Sequence, residues 1–259
     1  MIVPVYNTGP MLADCIESIL SQTYKNVELL ITDDGSDDEQ TLRILSRYAA
    51  KDSRVKVLRL EENKGAGRAR NHSIGQAEGQ YIAFCDSDDR WTADKLERQI
   101  SFMKQNGHCL VYSSYYICDK RGNLRGIVKA PQRVSLAMLK HDNKIGCLTS
   151  VYDVSIYGKF YLPKIRKRQD WALFLNILAK CKYAYGIAEP LAYYNKVDDS
   201  LSHRKTSLVK YNINVYRKIL GFSLPKAYLY FLFVFMPCYL AKVVKVKIDS
   251  YRLCQSLNT

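Results

Sequence analysis

Apolar runs and polar breaks alternate along the first 120 residues at a spacing that predicts strands feeding helices. Residues 1–6 (MIVPVY) form an apolar run, and Asn7-Thr8-Gly9-Pro10 reads as a turn. Met11, Leu12, Cys15, Ile16, Ile19 and Leu20 then recur at helical spacing. Residues 27–31 (VELLI) predict a second strand ending at Thr32-Asp33-Asp34-Gly35-Ser36, and Leu42, Ile44, Leu45 and Tyr48 mark a second helix. A third strand spans 55–60, and the polar stretch 61–71 (EENKGAGRARN) runs into a helix to about Ala77. A fourth strand at 80–85, a helix over 92–105 and a strand over 109–116 complete this half.

Beyond Gly122 the rhythm loosens. Residues 147–154 look strand-like, 169–181 (QDWALFLNILAKC) predict a helix with a strong apolar face, 184–194 read as extended, and helix returns from Leu201. Strands alternating with helices of this size imply an α/β fold, a mostly parallel sheet with helices on both faces. In such sheets ligands bind beyond the carboxyl ends of the strands. Tyr6-Asn7, Asp33-Asp34, residues 63–70 and residues 86–89 all follow predicted strand ends, so four polar motifs converge on one edge.

Composition adds location and partners. Of the 259 residues 47% are apolar and 25% charged, ordinary values for a folded domain, which excludes a disordered chain. The net charge of +14 is lopsided: residues 1–100 carry 13 Lys/Arg against 17 Asp/Glu, whereas the remainder carries 26 against 8. A basic second half suits an anionic partner such as a phosphorylated ligand or an acidic membrane surface; solvated lysines serving solubility are the simpler reading. Eight scattered cysteines without a CxxC pair, and a chain that opens in a strand-like run without a leader pattern, lead us to expect a reduced cytoplasmic protein. The segment 227–241 (AYLYFLFVFMPCYLA) is apolar, aromatic and followed by Lys242, Lys245 and Lys247. It is shorter than the roughly twenty residues a spanning helix needs and contains Pro237, so we expect an in-plane membrane contact, with a packed helix as the alternative.

Three carboxylates, Asp86, Asp88 and Asp89, crowd into four residues. Like charges that close repel, so the cluster either caps a helix or holds a cation. Mg²⁺ or Mn²⁺ takes one or two protein carboxylates and fills its other positions with water and substrate phosphate, so the matching substrate is a nucleoside diphosphate or triphosphate. In Asp33-Asp34-Gly35-Ser36, either Ser36 or Asp37 suits a helix N-cap, while an Asp at a strand end also suits the N3–H of a pyrimidine base. The run Gly65-Ala66-Gly67 lacks the third glycine of a dinucleotide fingerprint. Arg68 and Arg70 beside it read as partners of phosphates or of the carboxylates.

The motifs MIVPVYN, ITDDGSDDE, NKGAGRARN, YIAFCDSDD and RQDWALFL, in this order and spacing over about residues 1–205, resemble family 2 inverting glycosyltransferases of the GT-A fold. The resemblance implies a GT-A domain over 1–205, with a nucleotide-binding half (1–120) and an acceptor-side half (121–205), followed by a basic, apolar helical segment over 206–259. It implies that Pro4, Tyr6 and Asp34 hold the base, that Asp86 and Asp88 meet ribose and a Mn²⁺ or Mg²⁺ ion with Asp89 sharing the task, and that Asp170 is the general base. The family more often has Glu-Asp where this chain has Gln169-Asp170. His203 or Arg204 touches the diphosphate or the metal in this reading, and residues 164–168 (KIRKR) either attract a phosphate-bearing acceptor or form a solvated loop. The implied activity is transfer from a nucleotide-diphosphate sugar to a glycan or polyprenyl-diphosphate-linked acceptor at the cytoplasmic face of a bacterial membrane.

Rival readings are a sugar-nucleotide pyrophosphorylase, which needs a Gly-rich loop with an activating Arg after the first strand where this chain has Asn7-Thr8-Gly9-Pro10, and a catalytically silent nucleotide-sugar binder. A nucleic-acid-binding role is disfavoured, since the positive charge is not organised around stacking aromatics.

Overall fold

A computed structural model describes residues 1–119, 121–196 and 205–257. In chain order the elements are β1 (Ile2–Val5), α1 (Met11–Leu20), β2 (Leu29–Asp33), α2 (Glu39–Lys51), β3 (Val55–Arg59), α3 (Ala66–Gln76), β4 (Tyr81–Ala83), β5 (Arg90–Trp91) and α4 (Lys95–Asn106). There follow β6 (Leu110–Cys118), β7 (Leu124–Val128), β8 (Arg133–Ser135), α5 (Leu136–His141), β9 (Val151–Asp153), α6 (Val154–Tyr157), α7 (Gln169–Cys181) and β10 (Tyr183–Asn195). The chain closes with α8 (Lys205–Lys218), α9 (Leu224–Tyr230) and α10 (Met236–Leu257).

The first half builds as its pattern predicts. β1, β2 and β3 pair in parallel in the order β1-β2-β3, and a parallel bridge from Ile2 to Phe84 joins β1 to the end of β4. These strands are apolar because both faces are covered: every residue of β1 and β2 is buried. The second half is mixed. β9 runs antiparallel between β4 and β6, whereas β6 and the thirteen-residue β10 lie parallel. Residues 147–149 form a 3₁₀ turn, so only the end of the strand-like stretch 147–154 is strand. β1, β2 and β3 run parallel, so their carboxyl ends share one edge, and Asn7 after β1 meets Ser36 after β2 there.

Two apolar clusters flank the sheet. One gathers α1 and α4 residues around Val3, Ile31 and Trp91; the other gathers α7 around the fully buried Trp171. Trp171 donates its indole N–H to Leu139 O at 2.7 Å and packs edge-on to Tyr216 and against Phe235. The terminal helices are thus part of the second core.

The C-terminal segment corrects the fifteen-residue estimate. α9, a π-helical turn (Phe231–Phe235) and α10 join into one helix, apolar and long enough over its 33 residues from Leu224 to Ser256 to cross a membrane by length and composition. Pro237 does not end it. Its missing N–H and bulky ring fall just past the widened π turn, where the regular ladder is already interrupted. Along its length the helix is tied to the domain. Ser250 Oγ accepts from Ile127 N at 3.1 Å, Asp249 pairs with Lys129 at 3.0 Å, and Lys242 pairs with Asp142 at 3.0 Å.

Candidate active site

The acidic loop after β4 is held from three directions. Asp86 forms an ion pair with Arg70 of α3, whose side chain is only 11% exposed. The Asp88 carbonyl accepts from Asn195 Nδ2 at 2.5 Å, and Asp89 Oδ1 accepts from Asn195 N at 2.9 Å, so the end of β10 clamps the turn. Thr8 and Ser87 share a hydroxyl contact at 2.7 Å, which ties the turn to the loop after β1.

The three carboxylates therefore have different surroundings. Asp86 faces Arg70. Asp88 is half-buried, and its carboxylate meets only its own backbone N–H among the described residues; burial, then the Asp86 charge, pushes its pKa up to about 6. Asp89 is fully buried, and burial followed by the charges of Asp86 and Asp88 pushes it well above the carboxylate range. Its Oδ2 has no hydrogen-bond partner among the described residues. Among the described residues no three His, Cys, Asp or Glu side chains gather as a ready metal cage. Asp86 and Asp88 are thus left partly exposed, whereas Asp89 is turned toward the core and β10.

Asp34 is nearly inaccessible at 2% exposure. Its carboxylate accepts the N–H groups of Lys64 at 2.8 Å and Gly65 at 2.7 Å, so it fastens the loop that enters α3. Gly35 makes that closeness feasible: at φ +76 it presents no Cβ, which would lie 2.9 Å from the Glu62 backbone. Neither Ser36 nor Asp37 caps α2. The cap is Asp38, which accepts from Thr41 N at 2.7 Å, because Ser36 Oγ is taken by the Asn7 N–H and Asp37 pairs with the Asn7 amide. Pro4 is buried within β1 opposite Thr32, and Tyr6 stands half-exposed just past the strand end. Arg68 projects to solvent two residues before Arg70, about half a turn away on α3.

Asp170 sits in the first turn of α7, where a carboxylate is favoured by the helix dipole. Its Oδ2 accepts from Asn143 Nδ2 at 2.9 Å. The preceding Gln169 donates to Ile165 O at 2.6 Å and lies against Gly67, where a Cβ would collide with the Gln169 amide. The start of α7 thus abuts the start of α3. Arg70 pairs with Asp86, and the charge of Asp170 also acts on it. The Tyr115 hydroxyl likewise feels both Asp89 and Asp170. Arg70 and Tyr115 thus lie within electrostatic reach of both the acidic loop and the start of α7.

In the KIRKR run, Arg168 donates Nε to Asn212 Oδ1 at 2.9 Å and Lys167 lies 5.3 Å from the Tyr211 ring, while Lys164 and Arg166 are exposed. His203 and Arg204 lie outside the described residues. Sequence reasoning did not find Asn143, Cys147, Tyr115 or the role of Asn195. Asn143, Cys147 and Tyr115 lie in no motif and reach the site through a turn or sheet pairing, and Asn195 acts from its place at the end of β10.

The glycosyl transferase family 2 model matches residues 1–165. A Bacillus subtilis protein named as a teichuronic acid biosynthesis glycosyltransferase, TuaG, is 39% identical over 220 residues, 85% of this chain and 87% of its own. The Escherichia coli UDP-Glc:alpha-D-GlcNAc-diphosphoundecaprenol beta-1,3-glucosyltransferase WfgD is 41% identical over 178 residues, 69% of this chain and 68% of its own. Among solved structures, S. aureus TarS 1–349 in complex with UDP-GlcNAc superposes with a TM-score of 0.68 at 20% identity, over 87% of this chain and 68% of that one. Likeness at that identity speaks for the fold alone. The order of motifs along the strands, the family match and relatives of nearly full length agree: this chain is a glycosyltransferase that belongs to glycosyl transferase family 2.

Proposed function

We propose that the chain transfers a hexosyl or N-acetylhexosaminyl unit from a UDP-sugar, with inversion, to a hydroxyl of a polyprenyl-diphosphate-linked glycan. The product is a lipid-linked precursor of a cell-surface polysaccharide, made at the cytoplasmic face of the membrane. The observation that carries this reading is that Arg70 joins Asp86 of the Asp86-Ser87-Asp88 turn and lies within the field of Asp170. The relatives named for lipid-linked acceptors support the choice of substrates.

Asp170 is the general base in this proposal. Asn143 occupies one of its oxygens, leaving the other to take the proton of the acceptor hydroxyl. The acceptor oxygen then forms its bond to the anomeric carbon as the bond to the diphosphate oxygen breaks, and the nucleotide diphosphate leaves from the opposite side. Tyr6 lines the base end, and Arg70, already charged and buried, faces the departing phosphates beside Asp86. Asp34 supports the donor indirectly by fixing the loop that carries Arg68 and Arg70.

A divalent ion fits the donor set. Asp88 is a hard oxygen ligand with no cation in contact among the described residues, and its raised pKa reflects repulsion and burial that a cation relieves. Asp88, with Asp86 beside it, would hold Mn²⁺ or Mg²⁺ while phosphate and water complete the shell. Bound there, the ion supplies charge neutralisation on the leaving diphosphate. A mannosyltransferase from Pyrobaculum calidifontis solved with GDP-Man and Mn²⁺ shares the fold at a TM-score of 0.62 and 15% identity, over 98% of this chain and 77% of that one.

Calorimetric titration of UDP with and without Mn²⁺, on the wild type and on Asp88→Ala, tests the proposal. We expect metal-dependent binding that the variant loses. No UDP binding by the wild type under either condition would defeat the UDP-sugar reading, and equal binding by the variant would remove Asp88 from the metal site.

A further inference from the structure

Asp170 is not held by its own helix alone. The donor to its Oδ2 is Asn143, from the turn that follows α5. An amide side chain can present either its NH₂ or its oxygen, and here the choice is made by the backbone. Ile145 N–H donates to Asn143 Oδ1 at 3.2 Å, which turns the NH₂ toward Asp170.

The turn itself is anchored by a residue about a hundred positions further on. Lys242 of α10 donates Nζ to Asn143 O at 2.5 Å and lies 3.0 Å from Asp142 Oδ2. Asp142 is only 3% exposed, so its carboxylate depends on that lysine for charge compensation. The contacts form an unbroken line: Lys242 Nζ to the Asn143 backbone, Asn143 Nδ2 to Asp170 Oδ2. α10 is in turn fastened to β7 through Ser250 and Asp249, so Lys242 reaches the turn from a fixed support.

We infer that Asn143 and Lys242 are positioning residues for Asp170, and that the C-terminal helix sets the orientation of the base through them. The inference rests on the reading of Asp170 as the general base. A hydrogen-bond donor that fixes a catalytic carboxylate acts on the chemical step, because a reacting group displaced by about 1 Å loses on the order of a hundredfold in rate. It leaves nucleotide binding alone, since neither Asn143 nor Lys242 contacts the acidic loop or Arg70 among the described interactions.

The test is steady-state kinetics on Asn143→Ala and on the double variant Asp142→Asn/Lys242→Met, with Asp170→Asn as reference. The double variant removes the anchoring ammonium without stranding a buried charge, so its fold is retained, and thermal unfolding checks that. We expect kcat to fall about 10- to 100-fold in both, with the donor KM and the UDP affinity within about twofold of wild type. Unchanged kcat in Asn143→Ala overturns the inference, as does a loss that appears wholly in the donor KM. An active Asp170→Asn would instead bring down the assignment of the base. An inactive Asp170→Asn beside fully active Asn143→Ala and double variants would remove the positioning relay and leave the base standing.

Discussion

Asp88 and Asp170 are both aspartates near a helix or strand end, yet their surroundings suit opposite tasks. Asp170 lies at a helix N-terminus and accepts one amide N–H among the described residues, the setting of the general base proposed above. Replacing it with Asn keeps the shape and removes the basicity. Transfer by Asp170→Asn is expected to drop about 10²- to 10⁴-fold while UDP still binds, as read by initial rates and calorimetry on the same preparation. Asp88, with its pKa near 6, is poised differently. A metal ligand must be deprotonated, so as pH falls through about 6 a growing share of the protein carries the proton and metal-supported UDP binding weakens. At pH 6 the binding step is expected to release protons, and near pH 8 hardly any. Titrations in two buffers of different ionisation enthalpy measure that release directly, and a pH-independent affinity between 5 and 8 would contradict it.

At the scale of elements, the parallel half was legible because each strand is a short apolar run that stops at a polar motif, and such runs are rarely ambiguous. Its edges shifted by about two residues: β2 reaches Asp33, so Asp33 belongs to the strand and Asp34 to its exit. The second half was harder for a physical reason. β9 pairs antiparallel with strands far away in sequence, and its three residues carry no pattern of their own. Asp34 illustrates the same limit at a site. A motif shows that a carboxylate stands at a strand end, but whether it faces a ligand or the backbone of Lys64 and Gly65 depends on where a loop 30 residues later returns. That return relies on Gly35. Gly35→Ala forces a β-carbon into the left-handed region and against the Glu62 backbone, and is expected to cost about 1–3 kcal/mol, measurable by denaturant unfolding. A loss below about 0.5 kcal/mol would mean the two loops separate without penalty.

Across the whole molecule, the C-terminal helix has two faces. Phe235 and Ala227 are buried, and Phe231, Met236 and Tyr239 pack against the second core. On the other side Leu229, Leu232, Phe233, Leu240, Val244, Ile248 and Tyr251 are all more than 45% exposed, with Lys226, Lys245, Lys247 and Arg252 exposed among them. An apolar stripe bordered by cations matches the boundary of an anionic bilayer, and the ties to β7 and Asp142 keep the helix lying along the domain. The charge imbalance of the sequence was an early sign of this surface; the single continuous helix was not, because Pro237 suggested a break. Phe233→Asp with Leu232→Asp is expected to reduce sedimentation with phosphatidylglycerol vesicles at least tenfold while turnover of a soluble acceptor analogue stays near wild type. Equal sedimentation would place the membrane contact elsewhere. A last consequence concerns the order in which the chain is made. Asn195 shapes the acidic turn from 106 and 107 residues downstream, so the first 120 residues leaving a ribosome contain every donor motif but not their finished arrangement. The acidic turn therefore takes its final shape late in synthesis, once the chain is long enough for β10 to pair with β6.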